Sequence, residues 1–194
     1  ATFNETVYEN GIYALAWVNG NAVAFAGTSG RMYKYNGQYL VPFRRIPGTW
    51  SSTATATIFP NAIGMVNGIT IFGVSANAGT PCDQAVWGLG SYDTKYPEVL
   101  STDFVISTGN VTGITIGAII GDGLNTYIAW SDTAGSAFGV DIIDWTAKYA
   151  SAYLEIMNVD LVEEFGGQLG KTQAKYQSMP SGTSLSFKYY KNNG

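Results

Sequence analysis

Asn-Gly dipeptides stand between apolar runs at Asn19-Gly20, Asn36-Gly37 and Asn67-Gly68, and Asp122-Gly123 occupies a similar setting. A two-residue type I′ hairpin needs positive φ at both central positions, which Asn-Gly and Asp-Gly tolerate best. A chain punctuated in this way turns back on itself as antiparallel strands. The residues between the turns agree, since Val, Ile and Thr together number 47 against 9 leucines. β-Branched side chains lose rotamer freedom in a helix and pack well on a pleated surface. The expected fold class is all-β.

The turns recur with a period. The first-hairpin turns at Asn19, Asn67 and Asp122 are 48 and 55 residues apart, and expected third strands centred on Tyr33, Trp87 and Val140 are 54 and 53 apart. Four short antiparallel strands repeating at this interval are the sequence signature of a β-propeller blade. A jelly roll or an immunoglobulin-like sandwich also has many short strands but lacks the echo in unit length. Three units are expected within residues 1–158, near 11–48, 61–104 and 112–157, the last with its fourth strand over 149–156. Propellers close with about four to eight blades. The expectation is therefore a piece of a longer polypeptide with further blades before Ala1, or units that stack in another way.

After Ile156 the pattern changes, and so does the charge. Residues 1–170 carry all 14 acids against six bases, a net −8, whereas residues 171–194 carry four lysines and no acid. Four lysines spread over an alternating segment read as the solvated face of a hairpin rather than a nucleic-acid surface. From Thr183 to Tyr190, Ser184, Ser186 and Lys188 alternate with Leu185, Phe187 and Tyr189. That alternation predicts a half-buried antiparallel strand. Residues 159–194 are thus expected to be a β-hairpin or the start of a β-sandwich, with Leu185, Phe187 and Tyr189 as an assembly strand. Such a strand is a natural donor for pairing with another chain, as in a homo-oligomer.

The phrases GIYALAWVNGNAVAFAGTSGRMYKYNGQYLVPFRRIPG, NAIGMVNGITIFG…AVWGLGSYDTKYPEVLS and YASAYLE…QLGKTQAKYQSMPSGTSLSFKY cover about residues 8–190 in order. They resemble the propeller-plus-β-sandwich region of large bacteriophage virion proteins, the minor structural, tail or tail-fibre proteins. The resemblance implies a noncatalytic structural component of the virion. Its partners would be other virion proteins and, at loop tips, a host-surface glycan or receptor. The family has no fixed site motif, so no binding residue is carried over.

Residue chemistry points the same way. With no histidine and a single cysteine, Cys82, the chain cannot build a histidine-based triad, a Cys₄ or Cys₂His₂ zinc site or a disulfide framework. Cys82 lacks a histidine to activate it. No run of about 18 uncharged apolar residues is present, so no membrane span is expected. Asp141 and Asp144, an odd spacing apart, fall on opposite strand faces and make a poor glycosidase pair. Asp93 and Asp103 read as turn and strand-edge residues.

The segment Ser131-Asp132-Thr133-Ala134-Gly135 resembles the Asp-box turn of sialidase-like propellers but continues with Ser136-Ala137 in place of Thr-Trp. Residues 117–123 are glycine-rich, but no Lys-Ser/Thr follows, so a phosphate cradle is not supported. Asp122 is expected to serve a turn; a calcium site would need Asp132 and Asp141 brought to it. No metal, cofactor or catalytic residue is expected.

The aromatics remain, 14% of the chain. Trp17, Trp87 and Trp130 fall at similar positions in successive units and are expected in an inter-unit core. Trp50, Tyr92, Tyr96 and Trp145 lie outside strand interiors and are the candidates for exposed contacts. The leading expectation is a scaffold protein that docks its neighbours by loops and edge strands. The alternatives are an extracellular carbohydrate-binding or glycoside-hydrolysing propeller module, which needs aromatics clustered around two or more carboxylates, and a bacterial surface or filament subunit that exchanges terminal strands.

Overall fold

The computed structural model describes residues 7–48, 50–77, 82–91, 98–144, 182 and 184–186. The chain divides into two units, Ala1–Lys148 and Tyr149–Gly194. In the first, the described residues form strands and no helix. Strands β1 (Ile12–Val18), β2 (Asn21–Ala26), β3 (Arg31–Tyr35) and β4 (Leu40–Arg45) make sheet 1 in that order. After β5 (Ala56–Thr57), strands β6 (Ile63–Val66) and β7 (Ile69–Gly73) lead to β8 (Ser75–Ala76), which pairs with β5. Strands β9 (Val86–Gly90) and β10 (Val99–Phe104) complete sheet 2, ordered β10-β9-β7-β6. Sheet 3 contains β11 (Ile114–Gly121), β12 (Thr126–Asp132) and β13 (Ala137–Ile143). All these strand pairs are antiparallel.

The turn dipeptides resolve into two kinds. Asn19 and Gly20 have φ of 45° and 77°, and Asn67 and Gly68 have 49° and 80°, so both first hairpins are the expected type I′ turns. At Asp122-Gly123 the two-residue turn expected from the dipeptide is corrected to a four-residue loop, 122–125. The Asp122 N–H donates to the Asn125 carbonyl at 3.2 Å, and Asp122 Oδ1 accepts from the N–H groups of Leu124 and Asn125 at 2.9 and 2.7 Å. Asn36 builds the same loop, with Oδ1 accepting from the N–H groups of Gln38 and Tyr39 at 3.0 and 2.9 Å. The side-chain oxygen satisfies amides that a tight turn would have hidden, so only the glycine needs positive φ.

The sheets stack face to face. Between sheets 1 and 2 lie Val23, Phe25 and Met32 against Phe72, Trp87 and Leu89, with the Phe25 and Phe72 rings 4.9 Å apart at 52°. Between sheets 2 and 3 lie Ile71 and Val86 against Ile114, Ile116, Ile119, Ile128 and Ile143. Successive strand residues point to opposite faces, so Ile71 and Phe72, both fully buried, serve different interfaces. Sheet 2 is covered on both sides, which is why β7 and β9 read as continuous apolar runs rather than alternating ones. Each such side chain contributes roughly 1.5–3 kcal/mol by burial.

Polar contacts set the alignment. Strand β11 is an edge strand, and its outer N–H groups are bound by the preceding unit. Ile114 donates to Gln84 Oε1 at 2.9 Å, Ile116 to Ser75 Oγ at 2.8 Å and Ile119 to the Asn61 carbonyl at 2.8 Å. Gln84 is fully buried. Unbonded, those amides would each cost about 1–3 kcal/mol.

One expectation about the core holds only in part. Trp87 is 7% exposed and half-buried Trp130 packs against the core between sheets 2 and 3, but Trp17 is 61% exposed. The three do not occupy equivalent positions, since they lie on the first, third and second strands of their sheets. Trp17 faces away from sheet 2, whereas Trp130 lies on its cross-strand partner Gly139.

The expected fourth strand of the third unit, 149–156, lies outside the described residues. So do Phe187 and Tyr189 of the expected assembly strand. Ser184, Leu185 and Ser186 are all exposed and form no strand, so the expected alternation does not hold there. Alternating burial requires a paired strand covered on one face, and no ladder holds these three.

Candidate functional site

The carboxylates are engaged in building loops. Asp141 accepts from the Ser107 N–H at 2.7 Å, the Ser107 hydroxyl at 2.8 Å and the Trp130 indole N–H at 2.8 Å. Asp132 accepts from the N–H groups of Ala134 and Gly135, both at 2.9 Å, and from the Asn110 amide at 2.6 Å. Those bonds, led by the Gly135 N–H, hold its carboxyl below the usual carboxylate range. The segment that resembles an Asp-box is therefore an ordinary capped turn. The Asn125 N–H, then the Leu124 N–H and the Tyr127 hydroxyl, depress Asp122 from 3.8 to about 2.

These three carboxylates do not converge. Asp132 pairs with Ala137 and Asp141 with Ile128, so the two lie four residues apart along neighbouring strands, about 13 Å at the rise of a strand. Asp122 sits in the loop at the opposite end of the β11–β12 hairpin from Asp132. Among the described residues no three metal-ligating side chains come together. Asp103 accepts from the Ser101 hydroxyl at 2.7 Å. Asp144 lies exposed just beyond β13, away from the inward Asp141.

The one thiol is poorly suited to attack. Cys82 is half-buried, and burial together with Asp83 pushes it up to about 11. At neutral pH such a group is almost entirely protonated, and the thiolate is the nucleophile.

Of the aromatic candidates, Tyr92, Tyr96 and Trp145 lie outside the described residues. Trp50 is half-buried rather than fully exposed. Its indole N–H donates to the Ile46 carbonyl at 3.0 Å, and a β-carbon on Gly30 would lie 2.8 Å from its ring. The Arg45 guanidinium sits 5.2 Å from the ring centroid. Trp50 thus seals the end of sheet 1, and the edge left in solvent is framed by Arg45.

Sequence reasoning missed two features. The first is a basic-aromatic strip on β3 and β4: Lys34 and Arg44 lie 5.2 and 5.7 Å from the Phe43 ring, and both reach Glu98, Lys34 its carboxylate and Arg44 its carbonyl at 2.9 Å. Its signal was the concentration of Arg31, Lys34, Arg44 and Arg45 within one unit.

The second is the exposed apolar outer face of sheet 3. On sheet 3 the rows Thr115/Ser131/Phe138, Ala118/Ala129/Val140 and Ile120/Tyr127/Ile142 share the outer face and include no charge. Ile120, Phe138, Val140 and Ile142 are 67, 85, 64 and 57% exposed. On sheet 1, Ile12, Leu15 and Trp17 of β1 are exposed, but their β2 neighbours Ala26 and Ala24 are fully buried. Its charges gather at one end, where Arg31 pairs with Glu9 at 2.9 Å.

No protein-family model, curated protein or solved structure matches this chain.

Proposed function

We propose that the chain is a non-enzymatic structural component of a bacteriophage particle, a tail, tail-fibre or other appendage protein. It acts as a rigid propeller-type scaffold that docks other virion proteins and presents loops towards the host surface. One observation carries the scaffold half of this reading: consecutive antiparallel sheets stack face to face, and the middle one is buried on both sides. Neighbouring propeller blades would pack against one another in this way, which supports the reading. The engagement of Asp122, Asp132 and Asp141 in turn and loop bonding supports a structural role over glycoside hydrolysis. Placement in a phage particle rests on the sequence resemblance.

The test is proteomic. Particles purified by density from the culture that encodes the chain should contain it, read by the tryptic peptide spanning residues 35–44. Its absence from intact particles, or turnover of a glycoside by the purified chain, overturns the proposal.

A further inference from the structure

We propose that this chain carries two sites of spontaneous deamidation, Asn10 and Asn67, and that its loop structure protects a third, Asn36. The inference needs only the chain itself and stands apart from the scaffold reading. Among the described residues, Asn10, Asn19, Asn36 and Asn67 each precede a glycine, and all of them are exposed. Solvent access therefore does not separate them. What separates them is whether the side chain is held.

The chemistry is a ring closure. The backbone nitrogen of the glycine attacks Cγ of the asparagine, and the new N–Cγ bond makes a succinimide. The Cγ–Nδ2 bond breaks, and Nδ2 leaves as ammonia with the proton from the glycine nitrogen. Water then opens the ring, giving aspartate by attack at the side-chain carbonyl or its β-linked isomer by attack at the main-chain carbonyl. Glycine has no β-carbon to crowd the approach. The ring closes only from a near-attack geometry, with Cγ turned onto the following nitrogen.

Asn36 is kept from that geometry. Its Oδ1 accepts from the N–H groups of Gln38 and Tyr39 at 3.0 and 2.9 Å, and its own N–H donates to the Tyr39 carbonyl at 3.1 Å. Turning Cγ onto the Gly37 nitrogen breaks both side-chain bonds.

Asn67 has no such restraint. Among the described residues nothing bonds its side chain or the Gly68 N–H. Its φ of 49° is left-handed, a conformation that a residue with a β-carbon leaves readily. The turn it occupies is closed on one side by β6, an edge strand of four residues, so little holds it shut. Asn10 lies before β1, outside any strand, and its side chain is likewise unbonded among the described residues. A β-carbon on Gly11 or Gly68 would meet nothing within 4 Å, so the ring has room at both places. Asn19 falls between. It shares the turn of Asn67, but the Asn21 side-chain amide donates to its carbonyl at 3.0 Å, and its edge strand β1 is seven residues long.

The experiment is timed incubation of the folded full chain at mildly alkaline pH. Aspartate and its β-linked isomer are mapped by fragmentation of the tryptic peptides 1–31, 35–44 and 46–95. A parallel incubation in guanidinium chloride supplies the rates of the unfolded sequence. In the folded chain, conversion at Asn10 and at Asn67 should each outpace Asn36 by about 10-fold or more, as two broken hydrogen bonds require. In denaturant the three rates should converge. Each event adds a carboxylate, so the aged chain should focus at a more acidic position than the fresh chain of formal charge −4.

Equal rates at the three positions in the folded chain overturn the proposal, because the loop bonds then protect nothing. An Asn36 that stays slow in denaturant also overturns it, by assigning the difference to neighbouring residues in the sequence. Failure of Asn10 or Asn67 to convert removes that site. None of these outcomes bears on whether the chain belongs to a phage particle.

Discussion

Ile116 of β11 rests on the bare α-carbon of Gly73 in β7: a β-carbon on Gly73 would lie 2.6 Å from the Ile116 Cβ. The neighbouring pair repeats the fit less tightly, with Ile119 Cγ2 3.2 Å from the position a Gly64 β-carbon would take. Sheets 2 and 3 approach by setting isoleucines into glycine sockets. Sheets 1 and 2 instead meet through the tilted rings of Phe25 and Phe72.

Gly73→Ala should therefore force the two sheets apart. Overpacking of this kind costs about 1–3 kcal/mol, read as a lower urea midpoint at unchanged slope. Gly73→Ala combined with Ile116→Ala, which removes the Cγ2 nearest the new methyl, should lose less than the two single changes sum to. Strict additivity would show that the contact does not limit sheet approach.

Gln84 holds the Ile114 amide inside the stack. Gln84→Leu keeps the volume and removes the acceptor, so destabilisation of about 1–3 kcal/mol is expected. Amide hydrogen exchange at Ile114 should quicken more than at Ile128, which lies in the middle strand. Equal effects at both would deny Gln84 its local role.

Acid stability should carry the mark of Asp122. Its folded value of about 2 lies below its ordinary 3.8, so the carboxylate contributes stability that is fully present above about pH 4. That contribution is lost as pH falls through 2. Asp122→Asn should preserve the loop, because Asn36 builds the same one, while flattening the pH dependence of unfolding between pH 4 and 2. Identical pH profiles for the two proteins would contradict the assignment.

Cys82 should react slowly. With its thiol raised from 9.0 to about 11, iodoacetamide at pH 8 should label it about 100-fold more slowly than an ordinary cysteine, and normal labelling should return in denaturant. Fast labelling of the folded chain would mean that the thiol is neither buried nor raised.

The two scales of structure differ in how far the residues disclose them. Asn19-Gly20 and Asn67-Gly68 announce their hairpins because a type I′ turn is a local demand on φ. The unit length follows from their spacing. At Asp122-Gly123 the same dipeptide logic chose too short a loop, since a carboxylate can also cap amides two and three residues on. The open apolar face of sheet 3 was visible only as alternation along 137–143, and that alternation does not say which side is covered.

What the sequence determined by itself is the all-β character and the two tight hairpins. These depend on backbone sterics and on the period of two along a strand. The tertiary structure alone decided that Trp87 is core while Trp17 is surface, that Gly73 is a socket, and that Asp132 and Asp141 serve separate loops. Those outcomes depend on which sheet lies against which. Side-chain periodicity assigns a residue to a face, but only packing between distant segments determines whether that face meets another sheet or water.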